Sequence, residues 1–236
     1  MKKVNAYLQF GVNNVTTVRT KTRKPGAVRR EEIARAVIRI VGDRGLTALT
    51  TGAVADEVGV TPGALFRHVE SRDEMLEEAV RHAAERIEGT FPDPSLPPLD
   101  RLLELAHNRV RLLTSEPGLA WLLLSEQAFL TLPPPAVDRL RGLAERSGRY
   151  LLDALRDGVR QGTVRDDVEP ETLLVIVRGA IHALVPMRGI HKTKGATTKS
   201  ASKSTDAARV LSGLRLLLTP CTTTSTTARI TEGDGT

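Results

Sequence analysis

From about residue 30 to residue 218, large apolar side chains recur at helical spacing and nowhere alternate singly with polar ones. That period confines the chain to helices packed on helices. Ile33, Val37, Ile40 and Val41 fall at i, i+4, i+7 and i+8, one stripe of an amphipathic helix that starts near Arg30 and stops at Gly45. Thr50 or Thr51 then caps a short helix carrying Val54, Ala55 and Val58, closed by Gly59. Thr61 caps the next, with Pro62 at its first position, where a missing N–H costs nothing; it carries Leu65, Phe66 and Val69. Ser71-Arg72-Asp73-Glu74 reads as a capping box, with Glu74 reaching back to the cap, and opens a fourth helix through about Ile87.

Four prolines within residues 91–98 break the pattern and mark a boundary. Further helices are expected at 100–114, 119–131, 136–161 and 171–190, then, after a Lys/Thr/Ser linker at 192–205, at 206–218. Leu140, Leu143, Tyr150, Leu151, Leu155 and Val159 form the inner side of the longest. The expected organisation is a flexible basic arm at 1–24, a first helical unit at 25–90, a second helical unit at 99–219 and a disordered Thr-rich tail at 220–236. The fold class is all-α.

Charge matters here by position rather than in its total of +6. Lys2, Lys3, Arg19, Lys21, Arg23, Lys24, Arg29 and Arg30 occupy the first 30 residues with no acid among them. Arg188, Lys192, Lys194, Lys199 and Lys203 form a second acid-free stretch, whereas residues 31–184 contain more acids than arginines and no lysine. A basic arm on an acidic body suits a polyanionic partner gripped near the N-terminus; a solvated tail has the same composition. A single cysteine, Cys221, rules out an intrachain disulfide and a cysteine-built zinc site, which fits a cytoplasmic location. No apolar run reaches the roughly 18 residues of a membrane helix, so no membrane partner is expected.

Catalysis finds no support. Ser200 and Lys203 have the spacing of an acyl-transfer nucleophile motif but lie in the low-complexity linker, without the companion motifs. Residues 195–200 lack the glycine that a phosphate loop needs before its lysine. His68, His82, His107, His182 and His191 never fall four apart around a glutamate. No catalytic residue, metal ligand or cofactor is assigned, and the chain is expected not to be an enzyme.

The informative region is the corner Glu57-Val58-Gly59-Val60-Thr61, with a glycine free to take a left-handed backbone and Ala55 small enough for two helices to cross closely. That is the outline of a helix-turn-helix. The longer string from Leu49 to Leu76, including Thr61-Pro62-Gly63-Ala64-Leu65-Phe66-Arg67-His68-Val69 and Ser71-Arg72-Asp73-Glu74, resembles the TetR family of one-component transcriptional repressors. The resemblance is strong over 30–88; over 100–218 only the order of helices matches. Phe66 stands where the family usually has tyrosine, which removes a phenol contact to phosphate. Val69 replaces a core phenylalanine, and Arg72 replaces a lysine with its charge kept.

The resemblance implies DNA contacts through Thr50, Thr51, Thr61, Pro62, Gly63, Ala64, Phe66, Arg67, His68 and Arg72. A helix starting at Thr61 fits the major groove, and Gly63 and Ala64 permit close approach to base edges. Arg67 has the reach for guanine or phosphate. Thr51 and Arg72 suit phosphates at helix N-termini. His68 meets phosphate or packs the corner, and Phe66 without a hydroxyl suits packing better than base contact. In the second unit, Arg109, Gln127, Arg178 and His182 are polar handles, and Trp121, Leu124, Phe129, Tyr150 and Met187 are large or soft side chains that an apolar effector pocket would use. Ordinary core packing is the default for any one of them. Few aromatics favour an aliphatic or acyl ligand over a planar one.

The last two helices, through Leu173, Val177, Ile181, Leu184, Leu211, Leu214, Leu216 and Leu218, are expected to pair with a second copy. The homodimer would set two recognition helices one DNA turn apart on a palindromic operator in double-stranded DNA. The expected function is ligand-responsive repression. An activator of the same fold, or a non-specific nucleic-acid binder acting through basic tails, are the alternatives.

Overall fold

A computed structural model describes residues 25–185 and 200–220, with side chains of the last segment described from 207 onward. Ten helices follow one another among these residues, with no strand. They are α1 (Gly26–Arg44), α2 (Thr51–Val58), α3 (Pro62–Leu65), α4 (Arg72–Glu88), α5 (Pro98–Ser115), α6 (Pro117–Leu124), α7 (Glu126–Thr131), α8 (Pro134–Arg160), α9 (Pro170–Leu184) and α10 (Ser200–Leu218). A 3-10 turn at Leu46–Ala48 joins α1 to α2.

The helix punctuation follows local chemistry. Gly45 ends α1 at φ 80°, and Thr50 rather than Thr51 caps α2, its hydroxyl accepting from the Ala53 N–H at 3.1 Å. Ser71 caps α4 by accepting from the Glu74 N–H at 3.1 Å, while the Glu74 carboxylate accepts from the Glu70 N–H, one residue before the expected position. Five helices start with proline in the first turn, where it displaces no intrahelical bond.

Two expectations need correction. The apolar run 119–131 is two helices, because Ser125 is extended (φ −89°, ψ 127°) and turns the chain so that Ala128 enters the core while Phe129 and Leu130 do not. No proline or glycine announces that break. At the other end, α10 begins at Ser200, so the second half of the 192–205 linker is helical. The arm at 1–24, the stretch 186–199 with Met187, and the tail 221–236 lie outside the described residues.

Two apolar clusters hold the chain together. The first joins α1–α4 to α6, α7 and the start of α8 through Ile33, Ile40, Leu65, Leu76, Leu119 and Leu140, among others. The second joins α5, the end of α8, α9 and α10 around Leu102, Leu105, Leu155, Val177 and Leu218. The N-terminal helices are thus seated on α6, and the proline-rich segment does not separate two cores. Where α1 crosses the start of α6, Gly42 and Gly118 leave no room: a Cβ on Gly118 would lie 1.9 Å from the Ile38 carbonyl oxygen.

Candidate functional site

The corner between α2 and α3 depends on Gly59, the C-cap of α2, at φ 71° and ψ 44°. Only glycine takes this left-handed conformation at no steric cost. It lets the Val60 N–H reach back to the Ala55 carbonyl at 2.9 Å, closing the helix end and sending the chain off at the sharp angle of a helix-turn-helix. Val54, Ala55, Leu65 and Val69 are buried beneath the corner, as their positions in the sequence suggest. The Thr61 hydroxyl caps α3 by accepting from the Ala64 N–H at 3.2 Å. A helix of four residues is held in place from outside. The Arg30 guanidinium of α1 donates from Nε to the His68 carbonyl at 3.1 Å and stands 3.4 Å from Glu74.

What this motif presents outward is small and cationic. Thr50, Thr61, Pro62, Gly63, Arg67 and Arg72 are exposed, Thr51 and Ala64 half-buried, and nothing lies within 4 Å of a Cβ built on Gly63. The arginines behind the motif are answered by acids: Arg39 by Glu57 at 2.8 Å, Arg30 by Glu74 and Glu78, Arg35 by Glu31. Arg67 and Arg72 have no carboxylate within salt-bridge distance among the described residues. The first-turn amides of α2 and α4 add partial positive charge at the two helix N-termini. Phe66 does not pack as expected. Its ring is 47% exposed, because α3 ends at Leu65 and the tight turn that follows swings residue 66 outward. His68 is half-buried at the corner, with its carbonyl taken by Arg30.

A second feature is internal. Between α4, α5, α6, α7, α8 and α9 lies a cavity of about 320 Å³. Of the expected pocket residues, Arg109, Leu124, Phe129, Arg178 and His182 line it. Three do not. Trp121 packs into the first apolar cluster, Gln127 points to solvent, and Tyr150 turns to the proline-rich segment, where its ring meets Phe91 edge-on at 5.0 Å and its hydroxyl donates to the Pro92 carbonyl at 3.3 Å. Their side of each helix could not be read from residue type. Ser147, Leu113, Leu140 and Leu143 complete the wall, and Ile87, in the last turn of α4, forms part of it. Sequence reading missed Ser147, a hydroxyl on an arginine-rich helix that carries no signal of its own.

Arg109 is the polar centre of the cavity. Its Nε donates to the Thr90 hydroxyl at 2.7 Å, its Nη atoms lie 3.4 and 3.3 Å from the Ser147 hydroxyl, and its guanidinium stacks 5.2 Å from the Phe91 ring centre. Burial lowers its pKa to about 10, so it stays cationic at neutral pH. Burial, and the nearby Arg178 and Arg109, push His182 toward the neutral form.

The expected dimer residues prove largely internal. Leu173, Val177, Ile181, Leu214 and Leu218 are buried within the chain, and Leu184 and Leu211 are half-buried; Leu216 is 77% exposed. The apolar surface that α9 and α10 leave uncovered is instead Val175, Ile176, Val210, Leu216 and Leu217. Among the described residues no helix is long and apolar enough to cross a membrane, and no group of three metal-ligating side chains occurs.

Residues 32–79 match the family model described as bacterial regulatory proteins, tetR family. A nucleoid occlusion factor, SlmA, of Vibrio cholerae is 30% identical over 66% of this chain and 84% of its own length. The transcriptional repressor KstR2 of Mycolicibacterium smegmatis is 25% identical over 64% of this chain and 75% of its own. Among solved structures, the ketosteroid transcriptional regulator KstR2 of Mycobacterium tuberculosis superposes with a TM-score of 0.61 at 22% identity, covering 78% of this chain and 94% of that one. AibR, solved with isovaleryl coenzyme A and operator DNA, gives 0.62 at 18%, covering 80% and 97%. With its helix-turn-helix, its all-helical fold and these relatives, the chain belongs to the TetR family of bacterial transcriptional regulators.

Proposed function

We propose that this regulator is a homodimeric repressor that binds a palindromic operator through α2 and α3 and releases it when a small, largely apolar molecule enters the cavity. The observation that carries this reading is the path of α4. Its first residue, Arg72, stands beside the exposed helix-turn-helix, and Ile87 near its other end is a wall of the cavity. Seventeen residues of helix span roughly 25 Å, so one stiff rod joins the two sites. A ligand that displaces Ile87 rotates the head it carries, and two heads in a dimer then lose the spacing of one DNA turn. By linkage, operator DNA weakens the ligand by the same factor.

The assigned contacts are Thr50, Thr51, Thr61, Pro62, Gly63, Ala64, Phe66, Arg67, His68 and Arg72 on DNA, with residues 25–90 as the DNA-binding unit and 99–219 as the effector and dimer unit. The effector contacts are Arg109, Leu124, Phe129, Arg178 and His182, with Ser147 added. Dimerisation uses the outer face of α9 and α10. Repressors and a ligand-bound, operator-bound regulator among the relatives support the assignment. Selection from a random duplex pool at near-physiological salt tests it. A palindrome with half-sites about one helical turn apart is the expected product. Recovery of no shared sequence, with binding that vanishes as salt is added, overturns it in favour of non-specific binding.

A further inference from the structure

The cavity wall is mostly apolar, yet the half-buried Arg109 and the exposed Arg178 and His182 line it, and no carboxylate among the described residues does. Arg109 projects from α5, while Arg178 and His182 lie one turn apart on α9. Other arginines of the same helices' neighbourhood are matched by acids: Arg101 by Asp157 at 2.7 Å, Arg215 by Asp100 at 2.7 Å, Arg156 by Glu171 at 2.6 Å. Arg109 has only neutral partners among the described residues. Its two Nη atoms carry four N–H donors, and the single Ser147 hydroxyl, at 3.4 and 3.3 Å, is at the long end of hydrogen-bond range for both. A desolvated cation without a counter-charge is strongly unfavourable. The Nη edge, held only by the long contacts to Ser147 on the cavity wall, is thus the side at which an anion would neutralise the charge.

Resting on the effector reading above, we infer that this cavity takes an aliphatic monocarboxylate. The carboxylate takes the place of the weakly held Ser147 hydroxyl on the Nη edge of Arg109, in two parallel N–H···O bonds, with Arg178 and His182 on the same wall. The hydrocarbon chain lies against Leu113, Leu124, Leu140 and Leu143 and reaches Ile87 on α4. At about 320 Å³ the space is at the small end for ligand pockets and has room for a single acyl chain. A neutral carbonyl, as in a thioester of the same acid, offers the fork one weaker acceptor and leaves the charge unbalanced.

Isothermal titration of the full chain with n-alkanoates from butanoate to dodecanoate, the matching n-alkanols and the matching coenzyme A thioesters tests this. One chain length of alkanoate is expected to bind at least about tenfold more tightly than its alcohol and its thioester. Arg109→Gln should erase that preference and Arg178→Gln reduce it, whereas Arg111→Gln, on the exposed side of α5, should keep it. Circular dichroism melts of each variant establish that it folds, and Arg178→Gln carries the test if Arg109→Gln does not. An alcohol or thioester that binds as tightly as the acid, or the absence of any alkanoate binding, overturns the inference. Anisotropy of the selected duplex, followed in parallel, separates the two readings. An alkanoate that binds without releasing DNA keeps the anion site and removes its effector role, while a neutral alcohol that releases DNA does the reverse.

Discussion

Arg67 and Arg72 share exposure and the lack of an acidic partner among the described residues, but they sit differently: Arg67 in the turn after α3, Arg72 at the first position of α4. On the proposed reading they have distinguishable mutants. Arg67→Ala is expected to cost about 1–3 kcal/mol of specific binding and relax the preference at one base pair, seen by comparing affinities for single-substituted duplexes. Arg72→Ala should weaken all duplexes alike and reduce the salt slope by about one, seen in a titration of affinity against salt. An unchanged site preference in Arg67→Ala removes its base-reading role. His82 gives a residue-scale prediction about stability. It is buried between α1 and α4, where desolvation first, then Arg35, holds its pKa below the ordinary value; His182 is shifted the same way. Above the unfolded value of about 6.5 both states are neutral and nothing is gained or lost. Below it the unfolded chain takes up protons that the folded chain refuses, so stability falls until the folded groups protonate too. Urea midpoints should therefore drop from about pH 7.5 to about pH 5.5, and His82→Gln should flatten part of that drop.

At the scale of elements, the crossing of α1 over α6 is the tightest contact described. Gly118 meets the Ile38 carbonyl and Gly42 meets the Gly118 backbone, so neither has space for a methyl group. Gly118→Ala must push the helices apart, with an expected loss of about 1–3 kcal/mol or more in denaturant unfolding. Gly63→Ala on α3 meets nothing and replaces a poor helix former with the best one, so its melting temperature should hold or rise slightly. Its DNA affinity should nevertheless fall if that surface approaches base edges. Opposite behaviour of two Gly→Ala changes in one chain is a sharp check on where the close contacts lie. The helices themselves were mostly readable beforehand, because caps at Thr50, Thr61 and Ser71 and stops at Gly45 and Gly59 are local chemistry. The break at Ser125 was not, since it is the packing of Ala128 on one side and the release of Phe129 on the other that bends the chain there.

For the whole molecule, the apolar band of Val175, Ile176, Val210, Leu216 and Leu217 is what α9 and α10 leave uncovered. On the proposed reading this band is covered by a second copy. Ile176→Glu places a charge in it without touching either core cluster, and sedimentation should then show a monomer. Operator affinity should fall steeply at the same time, because two linked heads bind far more tightly than one. A dimer that survives the change moves the interface elsewhere. The same view of the whole chain shows why the N-terminal motif and the cavity are mechanically joined: α1 and α4 share one apolar cluster with α6 and the start of α8, so a shift at the cavity wall has packed side chains to travel through.

The class of fold and the helix-turn-helix were legible in residue order alone, whereas the outward turn of Phe66 was not. Helical period, capping residues and a left-handed glycine act within a few residues of one another, and their physics is complete in a short window. Residue order also placed Arg109, Leu124, Phe129, Arg178 and His182 among pocket candidates, since polar groups on apolar helices are visible by type. Tertiary structure alone decided which of those faced a common space. Tyr150 and Trp121 share the composition of pocket residues but rotate toward Phe91 and the first cluster. Ser147 and Ile87 carry no signal yet stand on the wall. Most of the leucines expected at the dimer face, though not the exposed Leu216, join α5, α8, α9 and α10 within one chain. An amphipathic stripe says that a face will be buried; only the arrangement of the other helices says against what.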